Sequence, residues 1–178
     1  MIVIQPNQPL LHGYQQNRIL AWLEPEKYES DEAYQQLNSV MAIGSGQLTG
    51  KGYNSDATTS VKNGNFILEP QTDFIFAIIG EELGFVGCCS VIILLLLIVI
   101  SCISVGMRTK DISGKLICSG VAALIGIQSF INISVATMLF PNTGISLPFV
   151  SYGQTSVVCF YIGIGLVLNV GLQQNKYQ

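Results

Sequence analysis

Charge is what this sequence has least of, and it is missing in long blocks. Only 11% of the 178 residues are charged, against roughly 25% in an ordinary soluble domain. No Asp, Glu, Lys or Arg occurs from Leu83 to Met107, nor from Leu116 to Asn175. A soluble fold needs such side chains on its solvated faces, so a run of 60 residues without one excludes that class. Basic residues are scarce too: eight Lys and Arg stand against eleven Asp and Glu, for a net charge of -3. With no basic patch to meet phosphates, nucleic acid is excluded as a partner. There is one histidine, His12, and none of the five cysteines (Cys88, Cys89, Cys102, Cys118, Cys159) has metal-ligand spacing with it. That argues against a zinc site, and the cysteines read as small apolar residues facing lipid or a neighbouring helix. The opening MIVIQPNQPLL does not read as a signal peptide, being too short and without a basic n-region. Nucleophile elbows and Walker sequences are absent as well; GSGQLTGKG has glycines and a lysine but not the Gly-Lys-Ser/Thr ending of a phosphate loop.

What is present is three apolar runs, each long enough for the roughly 20 residues a membrane helix needs. They are 83–105, containing VIILLLLIVI, then 116–140, and finally 149–172. Gly120, Gly126, Gly163 and Gly165 are expected where these helices approach closely. The sequence therefore predicts an all-α, polytopic membrane helical bundle with three transmembrane spans after a large extracytoplasmic loop. Arg108, Lys110 and Lys115 lie in the connection 106–115, Lys176 lies in the tail 173–178, and the connection 141–148 carries no charge. Positive residues mark the cytoplasmic side. The carboxy terminus is thus expected in the cytoplasm, with 13–82 and 141–148 outside.

The region 13–82 reads as a folded loop. SDEAYQQLNSVMAIG predicts an amphipathic helix with Ser30 or Asp31 as cap and Ala33, Leu37, Val40 and Met41 on one side. The Gly-, Ser-, Thr- and Asn-rich stretch after it predicts irregular backbone with tight turns. Residues 1–12 resemble the outer end of a span cut short. Three spans make a thin bundle, so the chain is expected to be a fragment, or to need a partner, and to be inactive in isolation.

Three carboxylates stand where the first span begins, in EPQTDFIFAIIGEELGFVG. With one continuous helix, Asp73 and Glu81 lie about 12 Å apart along the axis at ~1.5 Å per residue, on neighbouring faces. Asp73 reads either as a functional acid or as a helix-terminal charge, with Thr72 or Asp73 as the cap. Glu81 and Glu82 read as cavity lining or as a polar marker of the membrane boundary. In the second span Gln128 and Asn132, four apart, share a face extended by Ser129, Ser134 and Thr137, for a ligand or for interhelical hydrogen bonds. Thr143, Ser146, Ser151 and Gln154 offer neutral hydrogen bonds around the Pro141–Pro148 loop, and Arg18, Lys27, Lys51 and Lys62 are the outward-side cations.

YQQNRI, AIGSGQLTGKG, EPQTDFIFAIIGEELGFVG and PNTGISLPFVSYGQTS occur in the order and spacing of one family. Over about residues 10 to 175 the chain resembles the carboxy-terminal part of the ten-span SEDS proteins, the FtsW/RodA/SpoVE group of bacterial cell-wall proteins. The resemblance implies peptidoglycan glycosyltransfer: polymerisation of lipid II, a disaccharide-peptide on undecaprenyl pyrophosphate, at the outer face of the cytoplasmic membrane. It implies a class B penicillin-binding transpeptidase as partner, and it places the essential acid at Asp73. A lipid II flippase or a non-catalytic scaffold for cell-wall enzymes is the alternative. The substrate-binding set that goes with the resemblance is Arg18, Lys51, Glu69, Gln71, Thr72, Glu82, Thr143, Ser151 and Gln154. No tightly bound cofactor is expected; a divalent cation, magnesium or manganese, is a candidate beside Arg18, Lys51 and Lys62 for neutralising the departing pyrophosphate. Two departures stand out. The family's SYGGS or SYGGT becomes Gly153-Gln154-Thr155, and Gln71 stands where a histidine is common.

Overall fold

The computed structural model describes residues 18–20, 22–23, 31–52 and 72–174. The opening segment 1–12, Lys27, Ser30, Lys62, Glu69, Gln71 and Lys176 lie outside them. Besides the short helical stretches at 18–20 and 22–23, four helices follow in order among the described residues: α1, Asp31–Ser45; α2, Ile75–Arg108; α3, Ile112–Ala136; and α4, Gln154–Gln174. The last three are long and apolar enough to cross a membrane. Their outer faces expose Leu96, Leu97, Leu124, Ile127, Ile162 and Leu168, surface that a soluble protein would bury. The fold is the expected polytopic helical bundle.

Small residues bring the spans together. Cys102 on α2, Cys118 and Ala122 on α3, and Val167 on α4 form one buried cluster. A side chain at Gly106 would press on Cys118 at 2.9 Å, and one at Gly163 would touch Val121 at 3.4 Å. Gly126 also faces a neighbour, Val99, whereas Gly120 and Gly165 have open space around them. Cys88, Cys102 and Cys118 are buried, and Cys159 is on the outer surface. At one end α2 and α3 join through Thr109–Asp111 alone, shorter than the predicted connection. The Asp111 carboxylate ends it by accepting from Gly114 N at 3.0 Å, an N-cap that starts α3.

At the opposite end the helices stop where carbonyls find outside partners. α3 ends at Ala136, not Phe140, because Met138 turns left-handed (φ 63°). Leu139 N then donates to Ser134 O at 2.8 Å and Met138 N to Val135 O at 3.1 Å, the paired bonds of a Schellman cap. α4 starts at Gln154 rather than Phe149 because Leu147–Ser151 is a turn. Val150 N and Ser151 N both donate to Leu147 O, while Leu147 N donates to Ser151 Oγ at 2.7 Å.

α1 forms as predicted but presents the opposite face to the bundle. Gln36, Asn38 and Ser39 are buried, whereas Leu37, Val40 and Met41 are exposed, Met41 by 61%. The reason lies in the last turn of α3, whose carbonyls have no partner within their own helix. Gln36 Nε2 donates to Val135 O (3.2 Å) and Phe140 O (2.9 Å), and Ser39 Oγ donates to Ala136 O (2.8 Å). Trp22 Nε1 donates to Met138 O at 2.9 Å. Polar side chains win this face because they close the end of a buried helix.

The first span is not one continuous helix. Gly84 sits at φ 66°, ψ -162°, and breaks α2 into two pieces. Two carbonyls and two N–H groups beside the break bond outside their own helix, and unpaired backbone in a lipid setting costs several kcal/mol per group. Residues 47–52 satisfy all four. Lys51 N and Gly52 N donate to Glu81 O (3.0 Å) and Glu82 O (3.1 Å), while Phe85 N and Val86 N donate to Gln47 O (2.9 Å) and Leu48 O (3.2 Å). This strap lies so close that a side chain on Gly50 would run into the Glu82 carbonyl. Gly50→Ala is therefore expected to cost about 2–4 kcal/mol, from the left-handed backbone (φ 77°) and the overlap together. Gly52→Ala is the control: its φ is 97° but nothing lies within 4 Å, so it should cost only about 1 kcal/mol. Equal thermal unfolding midpoints for the two variants in detergent would discard the strap.

Candidate functional site

The end of the bundle that carries the strap also gathers the polar residues. Asp73 lies in the bend just before α2, and the N-cap position is Phe74, which has no side-chain cap hydrogen bond. Neither Thr72 nor Asp73 is thus the N-cap residue. The bend is held from α3. Asn132 Nδ2 donates to Asp73 O at 2.9 Å and to Ile145 O at 2.6 Å, tying the bend to the loop between α3 and α4. Both neighbours on that side are carbonyl oxygens, which fixes the orientation of the amide. Asn132 is 1% exposed, and its Oδ1 has no partner among the described residues. An unmet buried acceptor costs about 1–3 kcal/mol, so this side chain sits at a site of tension between donor and acceptor needs.

The loop carries its own order. Gly144 N donates to Asn142 Oδ1 at 3.2 Å, and Gln128 Nε2 donates to Ser146 O at 3.1 Å. Ser146 Oγ and Ser156 Oγ pair at 3.0 Å across to α4. Gly144 faces the acid directly, since a side chain there would stand 3.6 Å from Asp73 Oδ2. Arg18 Nη1 donates to Asn142 O at 3.3 Å. The Asp73 carboxylate, the exposed Thr143 and the Arg18 guanidinium therefore share one short loop.

The other predicted site residues fall elsewhere. Lys51 Nζ is held by Glu81 Oε1 at 2.8 Å; the Glu81 side chain is 2% exposed and that of Lys51 28%. The pair stands beside the kink, and the Glu81 carboxylate is buried against Lys51 rather than open to a cavity. Glu82 sits beside it, half-buried, with its carbonyl taken by the strap. Ser151 is buried with its hydroxyl oxygen on Leu147 N, and Gln154 is exposed at the first position of α4. Thr72 adjoins Asp73 and is half-buried. Among the described residues no three His, Cys, Asp or Glu side chains come together. A divalent-cation cage takes several oxygens, and the described residues alone do not supply one. Gly144 and Asn142 were not singled out from sequence, although Pro141-Asn142-Thr143-Gly144 has the composition of a turn.

The chemistry open to this arrangement is that of one carboxylate, fixed at its backbone and facing an exposed polar loop to which a guanidinium is bonded. Such a group can take a proton from a hydroxyl that attacks an electrophile with a good leaving group.

Residues 1–176 match the model of a family described as cell cycle protein, FtsW/RodA/SpoVE. A probable peptidoglycan glycosyltransferase FtsW of Geobacter sulfurreducens is 36% identical over 88% of this chain and 41% of its own length. Stage V sporulation protein E of Bacillus subtilis is 38% identical over 88% of this chain and 42% of its own. The peptidoglycan glycosyltransferase MrdB of Escherichia coli is 32% identical over 90% and 43%. A chain from a solved peptidoglycan synthase complex superposes with a TM-score of 0.69 and 28% identity, covering 93% of this chain and 44% of that one. The chain thus spans about two fifths of the length of these relatives. A match along almost the whole sequence, borne by the same three membrane helices, settles the lineage: the chain belongs to the FtsW/RodA/SpoVE family of cell cycle proteins.

Proposed function

We propose that this chain supplies the catalytic acid and its supporting loop to a peptidoglycan glycosyltransferase acting on lipid II. The observation that carries the reading is the Asp73 carboxylate, set against Gly144 and tied through its own backbone to the loop 141–148. Relatives named as peptidoglycan glycosyltransferases support it.

In the proposed reaction Asp73 accepts the proton of an acceptor sugar hydroxyl. The hydroxyl oxygen forms the new bond to the donor's anomeric carbon, and the carbon–oxygen bond to undecaprenyl pyrophosphate breaks with its electron pair. One carboxylate suffices because the leaving group is already stable as an anion, unlike the alkoxide of glycoside hydrolysis. Arg18, hydrogen-bonded to the same loop, is a described cation suited to meet the pyrophosphate. The positive-inside pattern at the Arg108–Lys115 end supports an outer-face position for this site. The partner in this reading is a class B transpeptidase, whose cross-linking consumes the polymer.

The test is Asp73→Ala in the full-length polypeptide, purified with its transpeptidase and supplied with lipid II. Loss of glycan polymer with the complex intact supports the reading. Polymer made at the parental rate rejects it, and a variant that loses only lipid II translocation across vesicles would favour a flippase instead.

A further inference from the structure

We infer that Asn132 is a positioning residue for the reaction, acting on Asp73 through that residue's main-chain carbonyl. The inference rests on the reading of Asp73 as the general base and names what holds it. Asp73 precedes α2, and its N-cap Phe74 has no side-chain cap hydrogen bond. Its carboxylate faces a glycine of a different segment, the loop between α3 and α4. One amide nitrogen links those segments directly, donating to Asp73 O and Ile145 O at 2.9 and 2.6 Å. Asn132 belongs to α3, is 1% exposed, and so is itself held by the packing of a membrane helix. A rigid element thus sets the distance between the base and the loop that faces it.

The unmatched Oδ1 strengthens the case. A side chain selected only to join helices would be expected to use both ends of its amide, and this one leaves its acceptor buried without a partner among the described residues. Gln36 is the natural comparison. It too is a buried amide whose nitrogen donates to two main-chain carbonyls, Val135 O and Phe140 O, but it binds neither Asp73 nor residues 141–148. Displacing a catalytic group by about 1 Å costs on the order of 100-fold in rate. A structural amide costs stability instead.

The test measures polymerisation of lipid II by the full-length polypeptide with its transpeptidase, alongside the thermal unfolding midpoint. Asn132→Leu is expected to lower kcat about 10- to 100-fold with KM for lipid II within about twofold. Gln36→Leu should lower the midpoint by a similar amount and leave kcat near the parental value. Asn132→Asp, which keeps one donor when burial holds it protonated, should give an intermediate kcat and guards against a misfolded leucine variant. Asn132→Leu combined with Asp73→Asn should be no slower than Asp73→Asn alone, because the two act through one group. Parental kcat in Asn132→Leu, an equal kcat loss in Gln36→Leu, or additive losses in the double variant would each overturn the inference while leaving Asp73 as the base. Full activity in Asp73→Asn itself would overturn both.

Discussion

Replacing Asp73 with asparagine in the full-length polypeptide should slow glycan polymerisation by about 10²- to 10⁴-fold, the range that a positioned general base contributes. At ~1.4 kcal/mol per decade that is about 3–5 kcal/mol of transition-state stabilisation. Asparagine is the informative choice because it keeps size, polarity and capping ability. Asn and Asp are equally good at a helix N-terminus, so a purely structural Asp73 predicts no change in rate and almost none in stability. Asp73 is half-buried and the N-cap Phe74 lacks a side-chain cap bond, which fits a thermal midpoint unchanged within about 1 kcal/mol. Asp73→Glu keeps the base but moves it by one methylene toward Gly144, and a rate between the two is expected. Initial rates on lipid II for the three proteins decide the matter; parental turnover in the asparagine variant ends the general-base assignment.

Lys51→Met should be among the most damaging single changes to the fold, lowering stability by about 3 kcal/mol. Glu81 is buried to 2% exposure and Lys51 Nζ stands 2.8 Å from it. Removing one partner of a buried pair leaves a charge whose desolvation is no longer offset by that partner, and such losses run to about 3–5 kcal/mol. The lower end applies here because Lys51 keeps contact with solvent. Glu81→Gln alone should cost less, since the neutral amide loses the ion pair without leaving a buried charge. Adding it to Lys51→Met should recover part of the loss, a coupling that a double-mutant cycle on unfolding midpoints would read directly. Strict additivity of the two changes would mean that the pair does not hold the strap.

These two predictions rest on residues of very different legibility. The three spans were plain in the sequence, because uncharged runs of 25 residues (83–107) and 60 residues (116–175) have no other physical home. Asp73 was visible as an acid at the head of a span, but choosing it over a helix cap needed the family resemblance. The break at Gly84 was hidden: a glycine inside GEELGFVGCC reads as a close-packing position in an unbroken helix, and only the strap 47–52, thirty-odd residues earlier, makes a break affordable in hydrocarbon. The Lys51–Glu81 pair was hidden for the same reason, since no local pattern couples residues so far apart. α1 failed in a more instructive way. Its apolar stripe was read correctly, yet the carbonyl-bearing end of α3 selects the other face, and that demand belongs to a different helix. Asn132 was seen as one of several polar residues on α3; what separates it from Gln128 is the neighbour it reaches, which sequence does not display.

The break at Gly84 also bears on how the protein is made. Chains leave the ribosome amino terminus first, so 47–52 is synthesised before 81–86. By the time the two exposed carbonyls and two N–H groups of the break emerge, the backbone that pairs with them is already available. The 25 residues from Gly84 to Arg108 extend about 37 Å, enough to cross the ~30 Å hydrocarbon core alone. Insertion of the span and docking of Ile75–Leu83 are therefore separable events. The piece that leads to Asp73 can be laid down afterwards, on a template that biosynthesis has put in place ahead of it.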